Sequence, residues 1–329
     1  MTKIVYQELD IPVESKISSF AEEIQENCEL LFYKYNIFDE TKKSEFHEQK
    51  ITTFPTRVYN YASKEILQIV SNFLAWTFVF DDYIETHHYD RDETCERVLQ
   101  IGYGNLSLKE GEALRSLEAL FSEIWNSIKK QSPNEWQKRF IDSIRNWFVF
   151  TNILMKHKMN GTIPTMAEFI SYRWFDAASD MAINLIEFAM EKFLPQSFHN
   201  EMVIQHLVHA NGNVIGAIND IFSYEKDIRA DNNLNFVEVM KNEMKIEVQE
   251  AIDRRYDFTR AQIQSYFLLR KQLNRIFDPN DEVIKKYVDG MDSLMRGHYD
   301  FYFDGNRYFE ICPFKSDSRM LTNSNDFEF

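Results

Sequence analysis

The sequence is poor in the residues that make turns, with only 9 Gly and 7 Pro among 329 residues. Because turns depend on these residues, a many-stranded sheet is disfavoured and long helices with few connections are favoured. Cysteine is also scarce, and the spacing of Cys28, Cys95 and Cys312 fits neither a disulfide framework nor a zinc site. This usage fits a reducing compartment, so we expect a cytoplasmic protein.

Net positive charge and long apolar runs are lacking too. The formal net charge is −15, which argues against nucleic acid as a partner because phosphate backbones bind basic surfaces. The longest apolar stretch, near Phe73 to Phe80, is far shorter than the about 20 residues that span a bilayer. The first residues lack the apolar core of a signal peptide. We therefore predict no stable membrane insertion.

Helical periodicity dominates the rest of the chain. It predicts helices at about 15–35, from 56 to 85, 108–130, 134–156, 165–192, 199–228, 233–276 with a break, and 280–304. Nothing predicts a sheet, so we expect one all-α domain over residues 1–329, with poorly ordered extreme termini. Aromatic residues make up 15% of the chain, and most of them should pack in the core, Trp76 included.

One apolar helix ends in three acids, Asp81, Asp82 and Glu85. At roughly 100° per residue, Asp81 and Glu85 lie within about 40° of each other, on the face that also carries Phe78. Acids beside an apolar wall repel each other and resist desolvation, and a hard cation such as Mg²⁺ relieves both problems. The alternative is an acidic helix end in solvent, and the pattern alone leaves it open.

A second helix carries Asn219, Ser223 and Asp227 at i, i+4 and i+8, within an arc of roughly 80°. An amide oxygen, a hydroxyl and a carboxylate in one line can chelate a hard cation, and the adjacent Lys226 can bind a phosphate that the cation also holds. The alternative is a polar stripe that is hydrogen-bonded internally. Gly212, Ile215 and Gly216 lie upstream on the same face, where small residues would leave room for a ligand.

The other polar groups give weaker evidence for a functional site than these two motifs. The segments 90–93 and 281–282 are acidic without an apolar wall, and we interpret them as surface. His206 and His209 have no third ligand in view, and His87-His88 are interpreted as helix-end or loop residues. No side chain stands out as a conventional general base.

At its two polar motifs the sequence resembles the class I terpene synthases of the microbial type. Residues 81–85 match the aspartate-rich DDxx(D/E) motif of that family, and residues 219–227 match NDxxSxx(K/R)(D/E). The family carries an arginine 46 residues before the Asn of the second motif, and Arg173 stands there. Asp176 matches the linker aspartate that follows, with Ala177 where Gly is common, and Arg307-Tyr308 match a pair near the C-terminus.

The resemblance implies an α-helical bundle with its active site in a central apolar cavity. It implies three Mg²⁺ ions, for which Mn²⁺ can substitute, held by Asp81, Asp82, Glu85, Asn219, Ser223 and Asp227. Within the first motif we rank Asp81 first as a ligand, then Asp82, then Glu85. Diphosphate would be bound by Arg173, Lys226, Arg307 and Tyr308, and ionisation would involve Arg173, Asp176 and Ala177. Phe301, where the family often has Trp, and Phe78 would line the pocket.

The implied activity is ionisation of an allylic isoprenoid diphosphate, with farnesyl diphosphate favoured on family grounds, followed by cyclisation or elimination and release of diphosphate. A homodimer is possible in the family. The nearest alternative is an isoprenyl diphosphate synthase, which elongates such substrates. The alternative from another class is a non-catalytic helical interaction protein.

Overall fold

The computed structural model describes residues 4–87, 90–309 and 312–314, so His88 and most of the polar C-terminal tail lie outside the described residues. Every regular element within these ranges is helical, which confirms the all-α prediction. The α-helices are α1 Ala21–Lys34, α2 Glu40–Gln49, α3 Thr53–Val58, α4 Lys64–Thr86, α5 Arg91–Tyr103, α6 Ser116–Lys130, α7 Asn134–Met159, α8 Met166–Asp176, α9 Ser179–Ala189, α10 Gln196–His199, α11 Met202–Phe222, α12 Tyr224–Arg229, α13 Phe236–Met244, α14 Val248–Gln272 and α15 Glu282–Phe301.

Two predicted continuous helices are broken beside the cavity described below. The helix expected at 165–192 is α8 and α9, because Ala178 adopts a left-handed φ of 55° that a helix cannot continue through. The helix expected at 199–228 is α11 and α12, which meet at Ser223. Both breaks occur at residues with small side chains, Ala178 and Ser223, and the sequence pattern gives no sign of either one.

Other predicted bounds need smaller corrections. The helix predicted from 56 to 85 is divided into α3 and α4, and the break expected within 233–276 lies between α13 and α14, where Lys245 has a φ of 56°. Helix α1 begins at Ala21 rather than near 15, and α6 begins at Ser116 rather than near 108. Helices α2, α5 and α10 were not predicted.

Helix α4 divides the interior because two of its faces are buried against different neighbours. On one face Trp76 is fully buried, as predicted, and its indole donates to the Leu117 carbonyl at 3.0 Å. Phe73 and Phe80 pack beside it in the core. On the other face, Phe78 and Asp81 line a cavity. The aromatic core thus fixes the rotation of α4 and thereby aims its acidic end.

An extended N-terminal segment, residues 4–20, lies along the C-terminal helices. The backbone amides of Gln7 and Leu9 donate to the hydroxyls of Tyr256 and Tyr299 at 3.0 and 3.2 Å. The Tyr6 ring packs against Phe222 at the end of α11. Because these hydrogen bonds join residues 249 and 290 positions apart, the first part of the chain is tied to the last part. No helix among the described residues is long and apolar enough to cross a bilayer.

Candidate active site

A cavity of ≈ 180 Å³ opens between the polar ends of α4, α8, α11, α12 and α15. Aromatic and aliphatic side chains form its interior, and charged residues gather on its lining as well. The predicted site residues that line it are Phe78, Asp81, Glu85, Arg173, Asp176, Ala177, Ile215, Asn219, Ser223, Lys226, Asp227, Phe301, Arg307 and Tyr308. Residues from both motifs, far apart in sequence, therefore meet around one space.

The three acids of the first motif have different environments. Asp81 lines the cavity and has no hydrogen-bond or ion-pair partner among the described residues. Burial raises the pKa of its carboxyl well above the ordinary value, and the charges of Glu85 and Asp82 raise it further. Glu85 also lines the cavity and accepts a hydrogen bond from Asn232 Nδ2 at 3.1 Å. An unpaired carboxylate held beside others is electrostatically poised to bind a cation.

Asp82 is not part of the cavity lining, but it pairs with Arg307, which is. Both of its carboxylate oxygens accept from Arg307, at 3.2 Å from Nη1 and 3.0 Å from Nη2. Although desolvation opposes it, the charges of Arg307 and Lys226 lower the pKa of Asp82. Glu85 therefore lines the cavity, whereas Asp82 is engaged by Arg307, and the ranking of the three acids as metal ligands stays a prediction.

The second motif is arranged around the break between α11 and α12. Ser223 Oγ donates to Asp227 Oδ2 at 2.6 Å. Asn235 Nδ2 donates to the same carboxylate oxygen at 2.9 Å and to the Asp220 carbonyl at 3.0 Å. Burial raises the pKa of Asp227, which these donors partly offset. The Asn235 side chain also accepts from the Val237 amide at the start of α13, so one residue joins that helix to the predicted ligands.

Arg173 connects α8 to α11. Its Nη1 donates to Asp176 at 2.6 Å, and its Nη2 lies 2.5 Å from Asn219 Oδ1 and 2.8 Å from Asp220 Oδ1. Asp220 is fully buried, and Arg255 donates to its other oxygen at 2.5 Å. The carboxylate of Asp220 therefore holds two cationic side chains, and Arg173 is fixed in place with its charge beside the cavity.

The loop after α15 brings in the C-terminal pair. Arg307 Nη1 donates to Gln49 at 2.8 Å, and its guanidinium lies 5.1 Å from the centre of the Phe78 ring. Tyr308 packs its ring at 4.4 Å from that of Tyr302. Arg307 therefore rests between the acidic end of α4 and an aromatic wall, where cation–π contact adds to its ion pair.

Three phenylalanines form a triangle at the cavity. The Phe78 and Phe301 ring centres are 5.7 Å apart, and Phe54 lies 6.1 Å from Phe78 and 5.5 Å from Phe301. Sequence reasoning proposed two of the three. It missed Phe54 because this residue precedes the helix predicted from 56 to 85, whereas the structure places it on the separate helix α3.

Two of the predicted pocket residues need correction, because Gly212 and Gly216 are not part of the cavity lining. A Cβ added at Gly212 would lie 1.9 Å from the indole of Trp174, so this glycine makes room for a side chain of α8. Gly216 faces the aliphatic part of Arg173, with 3.4 Å from its Cβ position to Arg173 Cγ. The small residues therefore allow α8 to approach α11, rather than leaving space for a ligand.

The remaining polar residues fall outside the cavity. The ring of His209 lies 4.8 Å from that of Trp174, and His87 stacks on Tyr83 at 4.1 Å. His206 is absent from the cavity lining. The segment 90–93 was predicted to be surface, and Arg91 is the exception, with only 3% of its side chain exposed. Helix α5 packs this guanidinium inward beside Cys95, a burial that a charge-rich sequence does not suggest.

The donor set suits a hard divalent ion better than a soft one. Oxygen atoms of Asp81, Asn219, Ser223 and Asp227 line the cavity, with no cysteine or imidazole among them. Among the described residues no three His, Cys, Asp or Glu side chains are close enough to enclose a metal ion.

Several lining residues were not predicted from the sequence. Asn232, His298 and Tyr302 all line the cavity and belong to none of the motifs. His298 and Tyr302 are separated by four residues on one face of the α15 end, a spacing that could have suggested a shared role. Thr151, on α7, donates to Asp176 at 3.1 Å and belongs to no motif.

Comparison with known proteins gives matches over most of the chain. The family model described as "Terpene synthase family 2, C-terminal metal binding" matches residues 72–264. A (+)-T-muurolol synthase of Roseiflexus castenholzii is 25% identical over 77% of this chain and 78% of its own length. A germacrene A synthase of Nostoc punctiforme is 22% identical over 94% of this chain and 97% of its own length. The solved structure of linalool/nerolidol synthase from Streptomyces clavuligerus superposes with a TM-score of 0.81 at 18% identity, over 90% of this chain and 100% of that one, which shows a shared fold.

Proposed function

The chain belongs to terpene synthase family 2, a family of class I terpene synthases, and we propose that its substrate is farnesyl diphosphate and its metal Mg²⁺. The observation that carries this proposal is the meeting of both motifs and three cationic side chains, Arg173, Lys226 and Arg307, around one aromatic cavity. The name of the Roseiflexus relative specifies (2E,6E)-farnesyl diphosphate, which supports the chain length. One helical domain carries the whole proposed site.

The residues that would hold divalent ions are Asp81 from one helix and Asn219, Ser223 and Asp227 from the other, with Glu85 placed to assist. Three ions are proposed on the resemblance to the family, with Mn²⁺ as a substitute. When bound, the ions supply Lewis-acid stabilisation of the departing diphosphate.

The chain's own residues account for the rest of the proposed reaction. Arg173, Lys226, Arg307 and Tyr308 hold the diphosphate oxygens while the bond between C1 and oxygen breaks, and the electron pair leaves with the diphosphate. Arg307 lines the cavity while it is paired with Asp82, so its guanidinium already lies beside the space that the diphosphate would occupy. The Phe54, Phe78 and Phe301 rings face the allylic cation, and each desolvated ring contributes up to about 2 kcal/mol.

The test is incubation of the full chain with C10, C15 and C20 allylic diphosphates, with and without Mg²⁺. We expect Mg²⁺-dependent release of diphosphate, fastest with the C15 substrate, and a terpene by gas chromatography. Asp257→Asn is a matched control because this exposed carboxylate lies far along α14, paired with Arg260. Formation of a longer diphosphate when isopentenyl diphosphate is added would support the elongating alternative. Absence of turnover with every substrate would support the non-catalytic one.

A further inference from the structure

The hydroxyl of Thr151 on α7 is directed differently from those of other buried threonines in helices. Four of these donate their hydroxyl proton to the backbone carbonyl four residues earlier, at 2.7 to 3.0 Å, and they are Thr56, Thr77, Thr94 and Thr259. This local bond is common for a threonine within a helix. Thr151 donates instead to Asp176 Oδ1, on α8, at 3.1 Å. Its hydroxyl therefore joins two helices.

Thr151 also differs from its neighbours on the cavity face of α7. The other residues of α7 that line the cavity are Trp147, Leu154 and Met155, whose side chains are mainly apolar. A buried hydroxyl costs free energy unless it is hydrogen-bonded, so packing against this face does not by itself favour a threonine. Thr151 is buried, and its hydrogen bond to Asp176 is what accounts for a hydroxyl at this place.

The Asp176 carboxylate lies where a negative charge is costly. Asp176 is the last residue of α8, at the end of the helix that carries partial negative charge, and burial raises the pKa of its carboxyl. Two donors offset this cost, since Arg173 Nη1 donates to Oδ2 at 2.6 Å and Thr151 donates to Oδ1. Among the described residues Thr151 is the only hydrogen-bond donor to Oδ1. Without it, one buried carboxylate oxygen would lose its partner and the carboxylate would be free to rotate.

Arg173 lies between two buried carboxylates that are supported unequally. Its Nη1 donates to Asp176, and its Nη2 lies 2.8 Å from Asp220 Oδ1. Arg255 donates to the other oxygen of Asp220 at 2.5 Å, whereas the described residues offer Asp176 only the Thr151 hydroxyl besides Arg173 itself. A guanidinium is planar, so the oxygens on its two sides fix the orientation of its plane. The orientation of the weaker of these two anchors depends on Thr151.

We propose that Thr151 is a positioning residue for Arg173, because its hydroxyl fixes the Asp176 carboxylate that holds the guanidinium beside the cavity. This inference rests on the proposed function and adds a residue that lies outside both motifs. Negative charge accumulates on the diphosphate oxygens as the bond between C1 and oxygen breaks. A guanidinium that is already fixed stabilises this transition state more than it stabilises the bound substrate. Loss of the Thr151 hydroxyl should therefore lower kcat more than it raises KM.

The first experiment compares Thr151→Val with the wild-type chain in steady-state release of diphosphate from farnesyl diphosphate with Mg²⁺. Valine keeps the shape of the side chain and removes the donor. We expect kcat to fall by about tenfold, the scale of one hydrogen bond to a charged group, with KM changed by less than about threefold. Thr151→Ser restores a donor and should recover most of the rate. An unchanged kcat in Thr151→Val, or an equally low kcat in Thr151→Ser, would overturn the inference.

Thr56→Val is the matched control for stability. Thr56 is a buried helical threonine outside the cavity lining, and its hydroxyl donates to the Thr52 carbonyl. Both valine variants should lower the Tm measured by circular dichroism, and only Thr151→Val should lower kcat. An equal loss of kcat in Thr56→Val would show a merely structural effect and overturn the inference. Thr151→Ala also lacks a donor and carries the same expectation if Thr151→Val does not fold.

A double-mutant cycle tests whether Thr151 acts through Asp176. Asp176→Ala removes the acceptor, so adding Thr151→Val to it should lower the single-turnover rate by less than about twofold further. A further loss of about tenfold would show that Thr151 acts independently of Asp176, and would overturn the inference. Normal turnover by the wild type with no effect of Thr151→Val would overturn this inference alone. Absence of diphosphate release by the wild type would overturn the proposed function, and this inference with it.

Discussion

Arg307 forms a two-point ion pair with Asp82, with Nη1 at 3.2 Å and Nη2 at 3.0 Å from the two carboxylate oxygens. The pair joins the loop after α15 to the acidic end of α4, and Lys226 lies 4.0 Å from the same carboxylate. Two of the cations proposed to bind diphosphate are thus held at one acid before substrate arrives.

The two aspartates of the first motif should respond differently to loss of charge. Asp81→Asn removes an unpaired carboxylate on the cavity lining and should lower kcat/KM for farnesyl diphosphate by about 100-fold or more. Asp82→Asn removes a partner of Arg307 and should lower it only by about tenfold. Steady-state assays of diphosphate release measure both. Equal losses would contradict the separate roles, and Asp257→Asn provides the surface control.

Asn235 should control metal affinity without being a ligand. Its amide donates to Asp227 and to the Asp220 carbonyl, so Asn235→Ala should raise the Mg²⁺ concentration for half-maximal activity by about 10–100-fold. Loss of the cap on α13 should also cost about 1 kcal/mol of stability. A magnesium titration separates the two effects. Asn242→Ala is the control, since its amide donates only to Glu238; a similar shift in that variant would refute a specific role for Asn235.

The metal-free protein should become less stable as pH rises. Burial raises the pKa values of Asp81, Glu85, Asp176 and Asp227. A carboxyl with a higher pKa in the folded state favours folding below its ordinary pKa of about 4, and this contribution is lost as pH rises through the raised value. The Tm in EDTA should therefore fall as pH rises above about 4 and through the raised pKa values of these carboxyls.

Magnesium should reverse this trend, because protons compete with the ion for the same oxygens. The increase in Tm on adding Mg²⁺ should be larger at about pH 8 than at about pH 5, and Asp81→Asn should flatten the slope measured in EDTA. Thermal unfolding followed by circular dichroism provides both curves. An equal effect of Mg²⁺ at the two pH values would argue against buried carboxylates at the metal site.

The two glycines of α11 should differ sharply when replaced. Gly212→Ala places a Cβ 1.9 Å from the Trp174 ring, and such overpacking typically costs about 1–3 kcal/mol. Gly216→Ala makes an ordinary contact at 3.4 Å and should be neutral, or stabilising by up to about 1 kcal/mol through helix propensity. Denaturant unfolding measures the difference. If Trp174 is the cause, Trp174→Leu should restore stability in the Gly212→Ala background.

The sequence predicted the fold class and the two motif helices because their signals are local. Periodicity and the spacing of Asn219, Ser223 and Asp227 depend only on neighbours within three turns, so they can be read without knowing the partners. Trp76 and Phe78 were assigned to opposite faces of α4 for the same reason, and the structure agrees.

Contacts between segments that are distant in sequence could not be predicted from such local patterns. The pairing of Arg307 with Asp82 joins residues 225 positions apart, and no local pattern specifies it. The kink at Ala178 depends on tertiary packing that overrides the helix preference of alanine. Gly212 was misinterpreted because the indole that fills its space comes from a different helix.

The hydrogen bonds between the N-terminal segment and α14 and α15 also determine when this segment can dock during synthesis. Gln7 and Leu9 leave the ribosome before their partners Tyr256 and Tyr299, which follow 249 and 290 positions later. At about 5–20 residues per second, the segment waits for about 15–60 seconds of synthesis before it can dock. The α15 end, with Arg307 and Tyr308 just beyond it, arrives in the same interval. Docking of the N-terminal segment and completion of the cavity therefore both depend on the synthesis of α15 and the residues just after it.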